Sequence, residues 1–355
     1  MSDRAHEAQK GISPEQMHVV HINLEAGWRG GERQVALLVA ALAERGVRQT
    51  VVVRRGGALD RRFRELNLPV EIVTAGNRLE AAARLLARDC HRAVFHAHTG
   101  HAIPIALIAS RRHQGALVVH RRVAFRPRSS LLRRADQVIA LSTVVAERCV
   151  EAGVSSECIA IIPPILDPAL RTPERTVARQ RLGIPEDSFV GVTIAALAPE
   201  KNVELMLQAI RHVDGVRHYW IGDGPVPDGA VVSDGLHFPG FRTDIADWLG
   251  ASDYFLLPSW SEGFGSSVLD AIQAGCPLIL SDIPGLRAWV PEDAAWWFDP
   301  RSATDAAAAI RACRRRPDLA GRRVEAARQV LANSAAGRVA EQTLSVYAKA
   351  VKRRS

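Results

Sequence analysis

Short apolar segments alternate with amphipathic ones along this sequence, and the alternation is the feature that most constrains the fold. In the first half, strand-like segments such as 18–24 and 51–53 are followed by helical patterns such as 35–45 and 78–88. A second series of the same kind begins near Val190. Regular strand–helix alternation is typical of a parallel sheet with helices on both faces. The sequence therefore predicts an α/β protein with two doubly wound, Rossmann-like halves.

The alternation breaks at 159–168, where three prolines, Pro163, Pro164 and Pro168, stiffen the chain. A chain of 355 residues is also longer than one ordinary core requires. We therefore expect two domains and a final amphipathic helix that returns to the first of them. The expected bounds are 17–168 for the N-terminal domain, 169–334 for the C-terminal domain and 335–355 for the last helix.

The net charge of +8 and the sequence pI of about 9.8 favour anionic partners in general. The segment 111–134 contains arginines but no aspartate or glutamate. Such a segment suits an anionic membrane surface or a phosphorylated acceptor, and a solvated arginine-rich surface is the alternative. Nucleic acid is disfavoured because aromatic residues make up only 5% and no zinc or helix-turn-helix pattern is present. The arginines of this segment are Arg111, Arg112, Arg121, Arg122, Arg126, Arg128, Arg133 and Arg134.

Other features of the sequence concern the compartment. The first sixteen residues are polar and contain no apolar signal region, and the apolar segments elsewhere are too short to span a bilayer. The five cysteines show no metal-ligand spacing, so we interpret them as buried thiols. We therefore expect a cytoplasmic protein that associates peripherally with the inner face of the plasma membrane.

The segment 258–276 combines a strand end, a glycine-rich turn and a helix start. Its turn carries Glu262, and Ser266 or Ser267 is expected to cap the helix that follows. Free N–H groups at a helix N-terminus and small residues in the turn suit a phosphate group. Asp270 lies on the same helix face as Ser266. Because carboxylates accept hydrogen bonds from vicinal hydroxyls, the segment predicts a site for a phosphorylated, polyhydroxylated ligand.

Glycines also follow the first strand of the chain. Their spacing differs from that of a dinucleotide-binding loop, but the backbone of Gly30 and Gly31 can receive phosphate or sugar oxygens; a structural tight turn is the alternative. His96 and His98 follow the fourth strand, and we expect their rings to point to opposite faces and to hold no metal. We interpret His98 as a sugar contact, with a satisfied structural histidine as the alternative.

Three further strand ends carry candidate ligand groups. Lys201 follows the strand 190–194 and offers a positive charge for a diphosphate, with Asn202 expected as a helix N-cap. Gly222 closes the next strand, where a simple turn is the alternative reading. The backbone near Arg242 is a candidate for contact with a nucleobase.

Assembled in this order, these motifs resemble those of retaining glycosyltransferases of the GT-B fold, glycosyltransferase family 4 (glycosyl transferases group 1). The resemblance extends from about 19 to 347. Its most specific part is an acid in the turn followed by a second acid eight positions later, here Glu262 and Asp270. The other matching positions are Gly30, Gly31, His98, Glu200, Lys201 and 222–225.

The resemblance implies two Rossmann-like domains that face a central cleft and transfer a sugar from a nucleotide-sugar donor with retention. Glu262, Lys201 and His98 are the implied catalytic residues, with no metal, no protein nucleophile and no other cofactor. The departing phosphate would help to deprotonate the acceptor on the same face of the sugar. The implied donor-binding residues are Gly30, Gly31, Gly222, Arg242, Phe264, Gly265, Ser266 and Asp270.

The sequence departs from the family pattern at Asp270, which is usually glutamate, and at 195–197, where many members carry an arginine. The strand end at His120, Arg121 and Arg122 is similar to that of bacterial members that build cell-envelope glycans. Arg121 and Arg122 are therefore interpreted as contacts to a saccharide or lipid-linked acceptor of the lipopolysaccharide type. The alternatives are a non-catalytic subunit that binds nucleotide sugars and a sugar-nucleotide epimerase on the same fold.

Overall fold

The computed structural model describes residues 14–125, 130–226 and 235–354. The chain forms two compact units. The first unit comprises Met1–Ile165 and Ser334–Ser355, and the second comprises Leu166–Asn333. The first unit is therefore discontinuous in sequence, because its last helix follows the whole of the second unit.

The first unit contains a seven-stranded parallel sheet with the strand order β3-β2-β1-β4-β5-β6-β7. Its apolar strands are buried on both faces, as in β1, where Val19, Val20 and Ile22 are each fully inaccessible. The strands are β1 (His18–Asn23), β2 (Arg48–Arg54), β3 (Glu71–Ala75), β4 (Val94–Ala97), β5 (Ala116–Arg121), β6 (Gln137–Ala140) and β7 (Ile159–Ile161).

Helices cover the first sheet. They are α1 (Gly30–Ala43), α2 (Ala58–Leu66), α3 (Arg78–Leu86), α4 (Ile103–Arg112) and α5 (Thr143–Glu151). Short 3-10 turns at Pro14–Gln16, Gly100–Ala102, Ser130–Arg134 and Ser156–Cys158 complete the described part of the N-terminal segment.

The second unit contains a six-stranded parallel sheet with the order β10-β9-β8-β11-β12-β13. Its strands are β8 (Phe189–Ile194), β9 (Val216–Ile221), β10 (Leu236–Gly240), β11 (Tyr254–Leu257), β12 (Leu278–Ser281) and β13 (Ala295–Phe298). Its helices are α6 (Arg175–Leu182), α7 (Val203–Ile210), α8 (Ile245–Ala251), α9 (Ser266–Ala274), α10 (Pro284–Arg287), α11 (Ala303–Arg315) and α12 (Pro317–Arg328). Its 3-10 turns are Pro199–Lys201, Glu292–Ala294 and Leu331–Ser334.

The last helix, α13 (Ala336–Arg354), packs on the first unit. Val346, Tyr347 and Ala350 are buried in a cluster with Val118 of β5 and Ile139 of β6. Because these apolar positions are three and four residues apart, they form one face of the helix. The predicted class, two doubly wound α/β halves with a C-terminal helix that returns to the first, is confirmed.

Two expected elements differ from the structure. Helix α1 begins at Gly30 rather than at residue 35, and its first turn is held by the Glu32 carboxylate, which accepts a hydrogen bond from the Arg29 backbone at 3.1 Å. The expected interruption at residue 159 is instead the edge strand β7, which pairs with β6. Gly30 and Gly31 obscured the start of α1 because glycine weakens helix propensity, and Pro163 and Pro164, which lie just after β7, obscured that short strand.

Most of the cysteines are buried as expected: Cys90, Cys149, Cys276 and Cys313 are inaccessible, and Cys158 is half-buried. Among the residues that the structure describes, no helix combines the length and apolar character that a bilayer crossing requires. Arg126 and Arg128 of the basic segment, and the polar residues 1–13, lie outside the described residues.

Candidate functional site

Lys201 and Glu262 lie in loops that follow β8 and β11, which are neighbours in the second sheet. Lys201 Nζ donates to Glu262 Oε1 at 2.6 Å. The Glu262 side chain is only 9% exposed and that of Lys201 21%. The carboxyl ends of parallel strands meet at one sheet edge, which is the usual ligand site in open α/β sheets. The structure thus brings together two of the three predicted catalytic residues.

Ser259 also contacts Glu262, and the sequence did not predict this contact. Its hydroxyl is fully buried and donates to Glu262 Oε1 at 2.7 Å. The same carboxylate oxygen therefore accepts hydrogen bonds from both a hydroxyl and an ammonium group. This arrangement fixes the orientation of Glu262, because a carboxylate held by two donors has few alternative rotamers.

Asn202 connects the two loops, although not as the expected helix cap. Its φ of 58° is left-handed and its side chain makes no capping bond. Its amide instead donates to the carbonyls of Pro258 and Pro300 at 3.1 and 2.9 Å. The Trp260 N–H donates to the carbonyl of Glu200 at 2.9 Å. The loops that carry Lys201 and Glu262 are therefore joined through their backbones.

The turn before α9 also differs from the expectation. The residue at the N-cap is Gly265, with a left-handed φ of 80°, so neither Ser266 nor Ser267 caps the helix. A Cβ at Gly265 would lie 2.9 Å from the Leu286 side chain. The first N–H groups of a helix have no acceptor four residues earlier; here that of Val268 donates to the Gly265 carbonyl at 2.9 Å, which leaves those of Ser266 and Ser267 without an acceptor in the helix. They leave the helix N-terminus able to receive an anion.

Trp289 supports this turn from the segment that follows α10. Its indole N–H donates to the carbonyl of Phe264 at 2.7 Å, and the two rings stack with centroids 4.0 Å apart. A Cβ at Gly285 would lie 2.0 Å from the carbonyl oxygen of Glu262. The close approach of α10 therefore requires glycine at this position and positions the turn from behind.

The other predicted ligand-binding residues of the second unit differ in their burial and in their contacts. Asp270 is buried within α9. Gly222 is required by packing, because a Cβ there would lie 1.9 Å from the carbonyl oxygen of Ala195. Arg242 is exposed and forms a bidentate pair with Asp244, whose carboxylate makes no capping bond to α8. The hydrogen bond from Arg242 lowers the pKa of Asp244.

The first unit gathers its predicted residues around a cluster of histidines. The ring centroids of His96 and His98 are 3.9 Å apart, so the expectation that they face opposite sides is wrong. Residues two apart in a strand lie on the same side of the sheet. His21 pairs with His96 in the register of β1 and β4, and its ring joins the cluster. The His120 ring lies parallel to that of His96 at 5.6 Å.

Hydrogen bonds determine the tautomers in this histidine cluster. Arg122 can only donate, and one of its terminal nitrogens lies 3.1 Å from Nδ1 of His98. The His98 proton is therefore on Nε2, which donates to Nδ1 of His21 at 2.9 Å. His21 then donates from Nε2 to Gln49 at 3.1 Å, and Gln49 donates to the carbonyl of Val39 at 3.0 Å. These bonds form a continuous chain from a cation to a helix carbonyl.

The ring nitrogens of His21, His96 and His98 lie within 4.8 Å of one another, a spacing that suits a metal ion in distance alone. Binding at Nε2 of His98 would require the proton to move to Nδ1, where it would face the N–H groups of Arg122. The positive charge of Arg122 would also repel a cation. The donor set therefore does not fit a divalent metal.

Burial keeps these histidines neutral. Desolvation lowers the pKa of His21 to about 3 and lowers the pKa values of His96, His98 and His120 well below the ordinary value. Desolvation also lowers the pKa of Arg122 to about 10, so Arg122 remains charged at neutral pH. The only permanent charge of the cluster is thus a guanidinium.

The N-terminus of α1 adjoins this guanidinium. Gly30 and Gly31 are the first two residues of α1, and a Cβ built on Gly31 would lie 3.9 Å from Cδ of Arg122. Arg121 contacts Phe125 through a hydrogen bond of 2.7 Å to its carbonyl and through its ring. The structure therefore groups Gly31, His98 and Arg122 within the first unit.

Two protein-family models match the chain, one in each half. The Glycosyltransferase Family 4 model matches residues 28–170, and the Glycosyl transferases group 1 model matches residues 188–315. Among curated proteins, the lipopolysaccharide core biosynthesis glycosyltransferase LpsE of Rhizobium meliloti (strain 1021) is 26% identical over 74% of this chain and 78% of its own length. LpsD of the same organism, with the same description, is 27% identical over 85% of this chain and 90% of its own length.

Solved structures show the same architecture. The Anabaena protein HepE, in complex with UDP and glucose, superposes with a TM-score of 0.80 at 20% identity and covers 93% of this chain and 98% of its own. Sucrose-phosphate synthase from Thermosynechococcus elongatus superposes with a TM-score of 0.75 at 19% identity, over 93% of this chain and 98% of its own. The two parallel-sheet units match the GT-B fold of these neighbours, as the sequence predicted.

Proposed function

The chain belongs to the group 1 and family 4 glycosyltransferases, and we propose that it transfers a sugar from a nucleotide-sugar donor to a saccharide or lipid-linked acceptor of the cell envelope. The observation that carries the donor assignment is the Lys201–Glu262 pair beside the N-terminus of α9. A cation, a carboxylate and free N–H groups at one sheet edge suit a diphosphate bonded to a sugar. The UDP complexes of HepE support the same ligand class.

In the proposed complex, Lys201 and the N–H groups around Phe264, Gly265 and Ser266 bind the diphosphate. The donor then replaces Glu262 as the partner of Lys201, and Glu262 accepts hydrogen bonds from the sugar hydroxyls while Ser259 holds it.

Elsewhere on the donor, Asp270 is assigned to the ribose, and Gly222 and the backbone near Arg242 to the nucleoside end. Within the first unit, Gly30 and Gly31 are assigned to phosphate or sugar oxygens. Because the edge of a parallel sheet spaces neighbouring strands about 4.8 Å apart, an extended nucleotide sugar can lie across several strand ends.

Transfer is proposed to retain the anomeric configuration without a metal or a protein nucleophile. The positive charge of Lys201 and the helix N-terminus stabilise negative charge on the departing diphosphate. The bond from the anomeric carbon to the diphosphate breaks, and the acceptor oxygen bonds to the same face. The departing phosphate oxygen takes the acceptor proton.

The acceptor is proposed to be a lipopolysaccharide-type glycan or lipid-linked saccharide, because LpsE and LpsD are described as lipopolysaccharide core glycosyltransferases. Within the first unit, Arg121 and Arg122 are the proposed acceptor contacts, and His98, for which the sequence predicted a catalytic role, lies against Arg122.

The proposed location is the cytoplasmic face of the plasma membrane. Arg111, Arg112, Arg133 and Arg134 are exposed, and Ile108 of α4 is 51% exposed beside them. A basic surface with exposed apolar groups suits anionic lipid. Sedimentation with liposomes should show binding to anionic but not to neutral vesicles, and binding should weaken as salt screens the charges. Equal binding to both vesicle types would exclude this surface as the cause.

The experiment that tests the function is a donor panel of UDP, GDP and ADP sugars with products followed by NMR. Glu262→Ala and Lys201→Ala should lose nearly all donor turnover while thermal unfolding shows a folded protein. Glu65→Ala, which changes an exposed glutamate in α2, is the matched control. Full turnover by both site variants would show that the pair is not the reaction centre. Nucleotide binding without turnover would identify a non-catalytic binder, and an epimerised free donor would identify an epimerase.

A further inference from the structure

Arg122 is positively charged. Among the described residues, 14–125, 130–226 and 235–354, no carboxylate lies within salt-bridge distance of it. Its terminal nitrogens donate to the carbonyl and Nδ1 of His98 at 2.8 and 3.1 Å and to Nδ1 of His120 at 3.2 Å. All three acceptors are neutral. Glu32, the acid whose charge acts on Arg122, accepts instead from Asn23 and from the Arg29 backbone, each at 3.1 Å.

Three consecutive residues at the end of β5 also hold N–H groups without acceptors. Nε of Arg121 and Nε of Arg122 have no partner among the described residues. Nδ1 of His120 accepts from Arg122, so its proton is on Nε2, which likewise has no partner in the described part of the chain. Because shielded donors without acceptors are unfavourable, a ligand rich in acceptor oxygens would stabilise this strand end.

His98 is unsuited to touch a substrate in this arrangement. Its Nδ1 accepts from Arg122, its Nε2 donates to His21, and the residue is 3% exposed. Its carbonyl also accepts from Arg122. His98 therefore accepts two of the three hydrogen bonds that orient the guanidinium of Arg122. This identifies His98 as a positioning residue.

We propose that the first unit binds a phosphate or carboxylate group of the sugar acceptor, with Arg122 as its receptor and His98 as the residue that positions Arg122. This inference rests on the proposed transferase function and names the substrate class of its acceptor. The first-turn N–H groups of Gly30 and Gly31, beside Arg122, add further donors for the same anion. The diphosphate of the donor offers the same chemistry, so the experiment separates the two sources.

The test is calorimetric titration of the full chain with glucose 6-phosphate and with glucose, in the presence of saturating UDP. UDP occupies the phosphate site of the second unit, so the remaining preference for the phosphorylated sugar reports on the first unit. The wild-type chain should prefer glucose 6-phosphate. Arg122→Gln should reduce this preference about tenfold or more, since a hydrogen bond to a charged group contributes about that much. UDP affinity should not change.

Substitutions of His98 test the positioning role. His98→Leu should reduce the preference as Arg122→Gln does, whereas His98→Asn, whose side-chain carbonyl can accept from the guanidinium, should retain part of it. Arg62→Gln removes an equal charge from an exposed surface and should have no effect. A purely structural role of His98 would lower the melting temperature and leave the preference of the folded protein intact.

Three outcomes would overturn the inference. The wild-type chain could bind both sugars equally, Arg122→Gln could leave the preference unchanged, or Arg122→Gln could weaken UDP binding as strongly as glucose 6-phosphate binding. The last outcome would assign Arg122 to the donor diphosphate. Failure of the wild-type chain to bind any nucleotide or nucleotide sugar would instead count against the proposed function, and the two sugars would then be compared without UDP.

Discussion

Acidification should destabilise the second unit through His218, a fully buried residue. The Thr193 hydroxyl donates to the carbonyl of Leu256 at 2.6 Å, so it accepts from Nε2 of His218 at 3.0 Å. Nδ1 of His218 then accepts from the Tyr254 hydroxyl at 3.1 Å. Both ring nitrogens are satisfied only in the neutral form. Burial accordingly lowers the pKa of His218 to about 3.

Proton linkage gives the sign and the size of this change in the free energy of unfolding. In the unfolded chain a histidine titrates near pH 6.5, so between pH 6.5 and about 3 the unfolded state binds one more proton than the folded state does at His218. The contribution is complete above pH 6.5 and is lost as pH falls toward 3. From pH 7.5 to pH 5 the loss is about 2 kcal/mol for this one residue, from a slope approaching 1.4 kcal/mol per pH unit.

The assay is chemical unfolding followed by tryptophan fluorescence, because all tryptophans except Trp28 lie in the second unit. His218→Gln keeps a donor to Thr193 and cannot titrate. The variant should be less stable than the wild type at pH 7.5, and this difference should shrink by about 2 kcal/mol at pH 5. His212→Gln, at an exposed histidine, is the control that should show no such change. A wild-type-to-variant difference that stays constant across the range would refute the reasoning.

Substitutions at three further positions test the supports of the second unit. Arg179→Ala should lower the free energy of unfolding by roughly 3–5 kcal/mol, because this fully buried guanidinium donates to four carbonyls and a carboxylate. Arg179→Lys should not restore these hydrogen bonds. Trp289→Phe keeps the stack on Phe264 but loses its hydrogen bond, so UDP affinity in calorimetry should fall about fivefold; an unchanged value would exclude this support. Ser259→Ala should slow transfer about tenfold in initial-rate assays by releasing Glu262, and an unaltered rate would contradict that role.

The sequence predicted that Lys201 and Glu262 lie at one sheet edge, because each of them follows an apolar strand. Lys201 and Glu262 are 61 positions apart, yet both lie at carboxyl ends of parallel strands, and such ends share one edge. The supports were not predictable in this way. Ser259 lies in a loop, where most serines are solvated, and Trp289 reaches Phe264 from the segment that follows α10.

The contacts within the histidine cluster were likewise not predictable from the sequence. The pattern of alternation could have placed His96 and His98 on one face, but the contact with His21 depends on the register of β1 against β4. The tautomers depend further on Arg122, which arrives from β5. The sequence gives neither the order of the strands nor their register. The chain of hydrogen bonds through the histidines was therefore identified only in the structure.

The position of α13 also has a consequence for biosynthesis. Tyr347 bonds Nδ1 of His96 at 2.7 Å and fills the cluster with Val118 and Ile139, yet it is synthesised after the whole second unit. The second unit is continuous and can fold as soon as it leaves the ribosome, since domains generally fold as units during synthesis. The first unit must wait with an apolar sheet face uncovered. Its histidine cluster therefore stays incomplete until α13 has been synthesised, and a chain that ends before Tyr347 lacks this contact.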